Sequence, residues 1–321
     1  MKATAISSVN IALVKYWGKR DPETNWPAVG SISMTLDGLG TETTVEFDST
    51  LEADVFILNG VERQDAKVTG LLNRIRTVAG LGEYAHISSI NTVPTASGLA
   101  SSASGMSALG FAAWHAAGLS NDGLLKPGKF LDLVRIGSGS APRSLIGGIV
   151  ELNQTDGSIR QLCKPQDWPI AMVVVQLTHQ SKAVSSRDGM AHTQRTSPYF
   201  QPWVQHHPED LASARSAIAR RDLETLGRVM ERSTMRMHAC MLAADPPLRY
   251  LLPSTLTVLD IVTELRRTGI SAWATMDAGP HVKILCHAED VDAIEKAVGA
   301  TVKSTQILVT HPGEGTRLVS P

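Results

Sequence analysis

Short apolar runs broken by turn residues dominate the first half of the chain. Residues 43–47, 55–58 and 86–90 are rich in β-branched or aromatic side chains and predict strands. Helical spacing covers 66–79 and returns over 101–117, closing near Gly118 as helices commonly do. Residues 147–152 and 170–177 predict buried strands, the second almost continuously apolar. The second half changes character. Residues 209–241 predict long helical structure, with Leu211, Ala214 and Ile218, then Leu226 and Met230, at helical intervals. A helix over 255–267 stops at Gly269, strands over 271–276 and 282–286 flank a turn at 277–280, 288–298 is helical, and 306–310 is a last strand. The Pro, Ser and His content of 193–208 predicts a mobile connection. The expectation is an α+β fold in two domains, 1–178 and 179–321, without internal repeat or low-complexity tract.

Composition narrows the functions available. At 321 residues and 43% hydrophobic, the chain can bury a substantial core. Lys and Arg number 30 against 31 Asp and Glu, a net charge of −1, so no overall basic field favours nucleic acid or an anionic membrane. Any anion must be held by a local cluster. Cys163, Cys240 and Cys286 are odd in number and far apart, which argues against a disulfide framework or structural zinc and for a cytoplasmic setting. No segment has the length and apolarity of a membrane span, and the N-terminus lacks an apolar leader. The ten histidines show no metal-ligand spacing.

Four constellations carry candidate chemistry. The run 93–105 places Ser97, Gly98, Ser101, Ser102 and Ser104 ahead of and into an apolar helix. Small residues allow backbone N–H groups to approach an anion, and the helix start adds unpaired donors, so the run reads as a phosphate cradle; close helix packing explains the same residues. In 10–20, Lys15, Tyr16 and Lys19 could hold a terminal phosphate or form an ordinary surface edge. In 136–144 a Gly/Ser turn aims Arg143, either as a carboxylate clamp or as the partner of a protein carboxylate. Asp277, on a turn of small residues, is a candidate base or electrostatic stabiliser, or a turn cap. A further cluster at 181–190 adds Lys182, Ser185 and Arg187, with Ser185 or Ser186 a candidate helix cap.

Together these motifs resemble the diphosphomevalonate decarboxylases of the GHMP kinase superfamily over nearly the whole chain. Lys15-Tyr16-Trp17-Gly18-Lys19, residues 94–105, 137–143, 184–190 and 276–280 are similar to five family motifs and stand in the same order. The resemblance implies a ribosomal-protein-S5-like N-terminal domain, a ferredoxin-like C-terminal domain, a homodimer, and ATP with Mg²⁺. It implies decarboxylation of (R)-5-diphosphomevalonate to isopentenyl diphosphate. Asp277, Arg143, Lys15 and Ser102 would be catalytic, with Ser102 also on the metal. Tyr16, Lys19, Ser138, Ser140, Lys182, Ser185 and Arg187 would bind substrate, and Pro94, Ser97, Gly98, Leu99, Ala100, Ser101, Ser102 and Ser104 the nucleotide. The chain departs from the family pattern at Pro142, at His281 and across 25–33, close to the expected pocket. A decarboxylase of the 5-monophosphate, or a mevalonate 3-kinase-like enzyme, would share most of these motifs.

Overall fold

Two sheets organise the computed structural model, which describes residues 1–92, 101–178, 180, 182–302 and 306–319. In chain order the elements are β1 (Lys2–Val14), β2 (Lys19–Asp21), β3 (Trp26–Pro27), β4 (Ser31–Asp48), β5 (Val55–Leu58), β6 (Val61–Arg63), α1 (Ala66–Ala79), β7 (Tyr84–Asn91), α2 (Ser101–Ala116) and α3 (Phe130–Gly137). They continue with β8 (Ile149–Leu152), β9 (Ile159–Cys163), β10 (Ile170–Gln176), α4 (Ser186–Thr196), α5 (Phe200–Arg220), α6 (Leu223–Leu242), α7 (Pro253–Arg267), β11 (Ala272–Thr275), β12 (Val282–His287), α8 (Val291–Thr301), β13 (Gln306–Thr310) and β14 (Arg317–Leu318).

Among the described residues the first sheet has eight strands in the order β14-β1-β4-β7-β5-β6, with β8 and β9 continuing from β4. Its spine is the long antiparallel pair β1 and β4, whose register slips between Ser8 and Asn10 and again between Ala12 and Val14. Because side chains alternate across a sheet, a slip of one residue changes which face a position serves. Ala5 accordingly packs with α1, α2 and α3, whereas Val9, Ile11 and Leu13 join the core of α5, α6 and β10. Beyond the slip, Asn10 and Ala12 open onto a cavity.

The second sheet runs β11-β12-β10-β13, all antiparallel. With its crossover helices this is the ferredoxin-like split βαβ arrangement. The unbroken apolar run of β10 follows from burial on both faces. Ala171, Val173 and Val175 pack on α7 and α8, while Ile170, Met172 and Val174 pack with α5, α6 and the first sheet. Each of these side chains larger than alanine contributes roughly 1.5–3 kcal/mol, and the shared core fixes the two sheets against each other.

The α+β expectation holds, with two corrections. Residues 193–208 form no mobile connection: α4 extends to Thr196 and α5 begins at Phe200. Phe200, Trp203 and His207 follow helical spacing and are buried, which outweighs the backbone bond lost at Pro208 inside the helix. Strand β10, placed before the expected boundary at 178, already belongs to the second sheet, and β14 returns to pair with β1.

Candidate active site

A cavity of about 450 Å³ lies where the two halves meet. Among the described residues its wall carries six cationic side chains, Lys15, Lys19, Lys67, Arg143, Lys182 and Arg187, against two carboxylates, Asp188 and Asp277. That surplus selects a polyanionic ligand.

Arg143 sits in a 3₁₀ turn, Ala141–Ser144, which Pro142 helps to start. The residue is 3% exposed, and among the described residues its guanidinium hydrogen-bonds only to neutral oxygens. Nε donates to Ser33 Oγ (3.0 Å) and Asn10 Oδ1 (3.2 Å), Nη2 to Asn10 Oδ1 (3.0 Å) and Nη1 to Ser31 Oγ (2.5 Å). Asn10 is oriented in turn by donating from Nδ2 to Ser144 Oγ (2.8 Å) and the Ser140 carbonyl (3.2 Å). No carboxylate among the described residues lies within ion-pair distance of Arg143, so the protein-carboxylate reading of this residue is not what the structure contains. Arg135, buried to the same degree, makes the contrast: it pairs with Asp132 at 3.0 Å and stacks 4.2 Å from the Trp26 ring centroid. Burial lowers the Arg143 pKa to about 10, which leaves it charged at neutral pH.

Tyr16 lies beside Arg143, its ring centroid 6.0 Å from the guanidinium carbon. Its hydroxyl is buried without a hydrogen-bond partner among the described residues, and burial pushes its pKa up to about 12, so it remains a neutral donor. A Cβ at position 139 would collide with that hydroxyl, which explains the glycine there. Gly18 is required twice over, by its φ of +90° and by the Phe200 ring against it.

Asp277 leaves β11 with its two carboxylate oxygens taken by different ammonium groups: Oδ1 by Lys15 Nζ at 2.7 Å and Oδ2 by Lys283 Nζ at 3.1 Å. Both lysines are 1% exposed. Burial alone would raise the acid's pKa, but the two ammonium charges hold it well below the usual carboxylate range. Lys15 is drawn down to about 8 by burial, against the pull of Asp277. The turn itself is closed by the Asp277 carbonyl, which accepts from Gly279 N at 2.8 Å, so the side chain is not spent as a cap. His281 accepts the Leu177 amide on Nδ1 at 3.0 Å, tying the end of β10 to this turn.

The remaining predicted residues divide clearly. Lys19 is 8% exposed, its pKa lowered to about 8 by burial and by Arg187 and Lys67. Lys182 donates to Ser186 Oγ (2.6 Å) and the Ala278 carbonyl (3.1 Å). Ser185 caps α4, accepting from Asp188 N at 3.1 Å and donating to Asp188 Oδ2 at 2.6 Å. Ser138 and Ser140 line the cavity with hydroxyls 3.4 Å apart. Ser102 is exposed at the start of α2 and reaches the cavity. Ser104 does not: it is fully buried and its hydroxyl meets Thr41 Oγ1 at 2.8 Å between helix and sheet, a correction to its expected place on the nucleotide. Pro94, Ser97, Gly98, Leu99 and Ala100 lie outside the described residues, as does the side chain of Ser101.

Sequence reasoning missed Asn10, Ser31, Ser33, Lys67 and Lys283. A usable signal existed for three of them. Asn10 and Lys283 are single polar residues between apolar neighbours in strands, where burial without a partner is costly, and Ser33 alternates with Ile32 and Met34.

Fold and cavity together define a two-domain small-molecule enzyme of the GHMP kinase type. Residues 7–161 match the diphosphomevalonate decarboxylase-like N-terminal domain, and residues 171–316 the mevalonate 5-diphosphate decarboxylase C-terminal domain. The diphosphomevalonate decarboxylase of Ganoderma lucidum is 33% identical over 330 residues, covering 92% of this chain and 81% of its own. The crystal structure of mevalonate diphosphate decarboxylase from Staphylococcus aureus superposes with a TM-score of 0.92 at 38% identity, covering 99% and 98% of the two chains. A structure described as MDDEF in complex with MVAPP, AMPPCP and magnesium superposes at 0.91, also 38% identical, over 100% and 99%. The chain belongs to the diphosphomevalonate decarboxylase family.

Proposed function

We propose that this protein converts (R)-5-diphosphomevalonate and ATP to isopentenyl diphosphate, ADP, phosphate and CO₂, a step of isoprenoid synthesis from mevalonate. One observation carries the reading: a buried guanidinium without a carboxylate partner faces the same polyanion cavity as a carboxylate locked between two lysines. The nucleotide end lies with the first sheet and α2, and the chain beyond β10 contributes Asp277, Lys182, Ser185 and Arg187.

ATP and Mg²⁺ fit what the chain offers. Ser102 presents a hydroxyl at the start of a 16-residue helix that opens on the cavity, where first-turn N–H groups favour phosphate oxygens. Mg²⁺ on a nucleotide keeps several waters and takes only one or two protein oxygens, so Ser102 suffices as a ligand beside the phosphates. Pro94, Ser97, Gly98, Leu99, Ala100 and Ser101 complete the nucleotide cradle in this reading. Bound there, MgATP supplies the phosphoryl group that turns the C3 hydroxyl into a leaving group.

The chain's residues do the rest by placement and charge. Arg143 takes the C1 carboxylate through its fork. Tyr16, Lys19, Lys182, Ser185 and Arg187 hold the diphosphate, with Ser138 and Ser140 between the two ends. Asp277, a poor base between two ammonium groups, orients the C3 hydroxyl and then faces the positive charge that grows at C3 as phosphate leaves. Lys15 neutralises charge at the reacting oxygen. The C1–C2 electron pair becomes the C2–C3 double bond as CO₂ departs, and the proton that the C3 hydroxyl gives up on taking the phosphoryl group leaves with the released phosphate.

The test is a panel of mevalonate, its 5-phosphate and its 5-diphosphate, each with ATP and Mg²⁺, read as CO₂ and ADP. CO₂ from the diphosphate in step with ADP supports the assignment. A stable phosphorylated acid would make the protein a kinase, and CO₂ from the monophosphate alone would move the substrate. The same reading includes a homodimer in the cytoplasm, checked by sedimentation at twice the chain mass.

A further inference from the structure

The geometry points to Lys283 as a positioning residue for the reaction, one that holds Asp277 from behind so that Lys15 is free to serve the substrate; this rests on the function proposed above. The two lysines are not equivalent. Lys15 follows β1 and lines the cavity, whereas Lys283 sits near the start of β12, opposite Val174 of β10 and Thr275 of β11, and is absent from the cavity wall. They grip different oxygens of one carboxylate, at 2.7 and 3.1 Å. A substrate hydroxyl arriving from the cavity meets the Oδ1 side, where Lys15 stands.

Burying a lysine inside a strand is costly without a strong counter-charge. Lys283 is 1% exposed, and its ammonium makes its ion pair with Asp277. With Oδ2 fixed by Lys283, the carboxylate keeps its orientation and its charge when Oδ1 exchanges Lys15 for the substrate hydroxyl. Lys15 can then turn to the phosphoryl oxygens without leaving Asp277 unpaired. Remove Lys283 and the pair Asp277–Lys15 closes on itself: the acid has one cation, and Lys15 has no reason to let go.

The titratable groups facing Asp277 are Lys15, Lys283 on β12, His238 on α6, Arg143 from the 3₁₀ turn and Lys182 ahead of α4, of which His238, its pKa lowered to about 4, is neutral at pH 7. Of these, Lys15 and Lys283 are the ones in contact with its carboxylate. Losing one of two contacting cations raises the acid's pKa toward its ordinary value, so the acid limb of the kcat profile shifts to higher pH.

Lys283→Gln, Lys283→Met and Lys283→Arg are compared with the unsubstituted enzyme by melting temperature, kcat and KM for diphosphomevalonate, and the pH dependence of kcat. Gln and Met remove the charge with little change of volume; Arg keeps it. The expectation for each folded neutral variant is a loss in kcat of roughly 10- to 100-fold, the scale of one charge-assisted hydrogen bond. KM should stay within about threefold, the acid limb should move up in pH, and Arg should recover part of the rate. A folded neutral variant with unchanged kcat and an unmoved acid limb overturns the inference. Should both neutral variants fail to fold, Lys283→Arg decides: full kcat supports a charge requirement, and loss with an unmoved limb contradicts it. Absence of CO₂ release by the unsubstituted enzyme is a different failure and removes the functional reading itself.

Discussion

Arg143 and Asp277 confront each other across one cavity with opposite kinds of company. Arg143 is surrounded by Asn10, Ser31 and Ser33, which orient the guanidinium without cancelling its charge. Asp277 has two ammonium groups, more positive charge than it can neutralise. The two environments reach the same end: each side of the cavity is left with a net positive field, one from a cation in no ion pair among the described residues and one from an over-compensated anion. A buried cation held by neutral oxygens is built to receive an anion. A carboxylate clamped at both oxygens is built to stay ionised and still.

Breaking the clamped side should cost most. Asp277→Asn preserves shape and removes charge, so kcat should fall by about a thousandfold or more, with diphosphomevalonate affinity by calorimetry nearly unchanged; retention of wild-type turnover would take Asp277 out of the mechanism. On the other side, Arg143→Lys keeps a charge but loses the fork. A drop of about a hundredfold in kcat/KM is expected, and unaltered kinetics would return Arg143 to a structural role.

Titration sharpens the same contrast. Lys15 has its pKa lowered from 10.5 to about 8 by burial, whereas Arg143 stays charged until about 10. As pH rises through about 8, Lys15 loses its proton and Asp277 keeps only Lys283, so kcat/KM should fall there and not two units higher. Bound polyanion favours the protonated lysine, so the matching limb of kcat should lie at higher pH. A flat kcat/KM between pH 7 and 10 would exclude this role for Lys15.

Away from the reacting atoms, His207 and His238 set acid stability. Burial lowers both from 6.5 to about 4. The unfolded chain takes up protons below 6.5 that the folded one refuses until about 4, so the stabilisation these residues allow is present above 6.5 and lost as pH falls through that window. Tm should decline from pH 6.5 to 4, and His207→Gln should flatten part of the decline. The smallest effect separates two serines of α2. Ser104→Ala should cost about 1 kcal/mol of stability, the worth of a buried hydrogen bond, with KM for ATP unchanged, while Ser102→Ala should raise that KM.

Much of this was legible in the chain itself, and the exceptions have a common physical cause. Strands 55–58 and 306–310 coincide with their observed bounds because they are short β-branched, apolar runs, and helix 66–79 because it is amphipathic and locally capped, Asp65 accepting from Lys67 N and Gly80 closing the far end with φ of 66°. Residues 193–208 misled because Pro and His are local signals, whereas the burial of Phe200 and Trp203 against Trp17 and Met237 is a tertiary fact. In the cavity, most of the charged wall residues stood out as clustered charge, Lys67 excepted, and those that support them did not. Asn10, Ser31, Ser33 and Lys283 are scattered singly through three strands, and only the β1–β4 register and the β11–β12 pairing bring them to Arg143 and Asp277. Ser104 differs in the other direction: two residues after the cavity-lining Ser102 on the helix, its hydroxyl turns to Thr41 instead of the cavity.

The most direct measurement is a crystal structure of the enzyme with diphosphomevalonate, a non-hydrolysable ATP analogue and Mg²⁺. The expected result places the C1 carboxylate on the Arg143 guanidinium in paired hydrogen bonds, and the C3 hydroxyl on Asp277 Oδ1 with Lys283 still on Oδ2. A substrate whose carboxylate lies elsewhere, or an Arg143 engaged by phosphate while Asp277 remains closed on Lys15, would contradict the account.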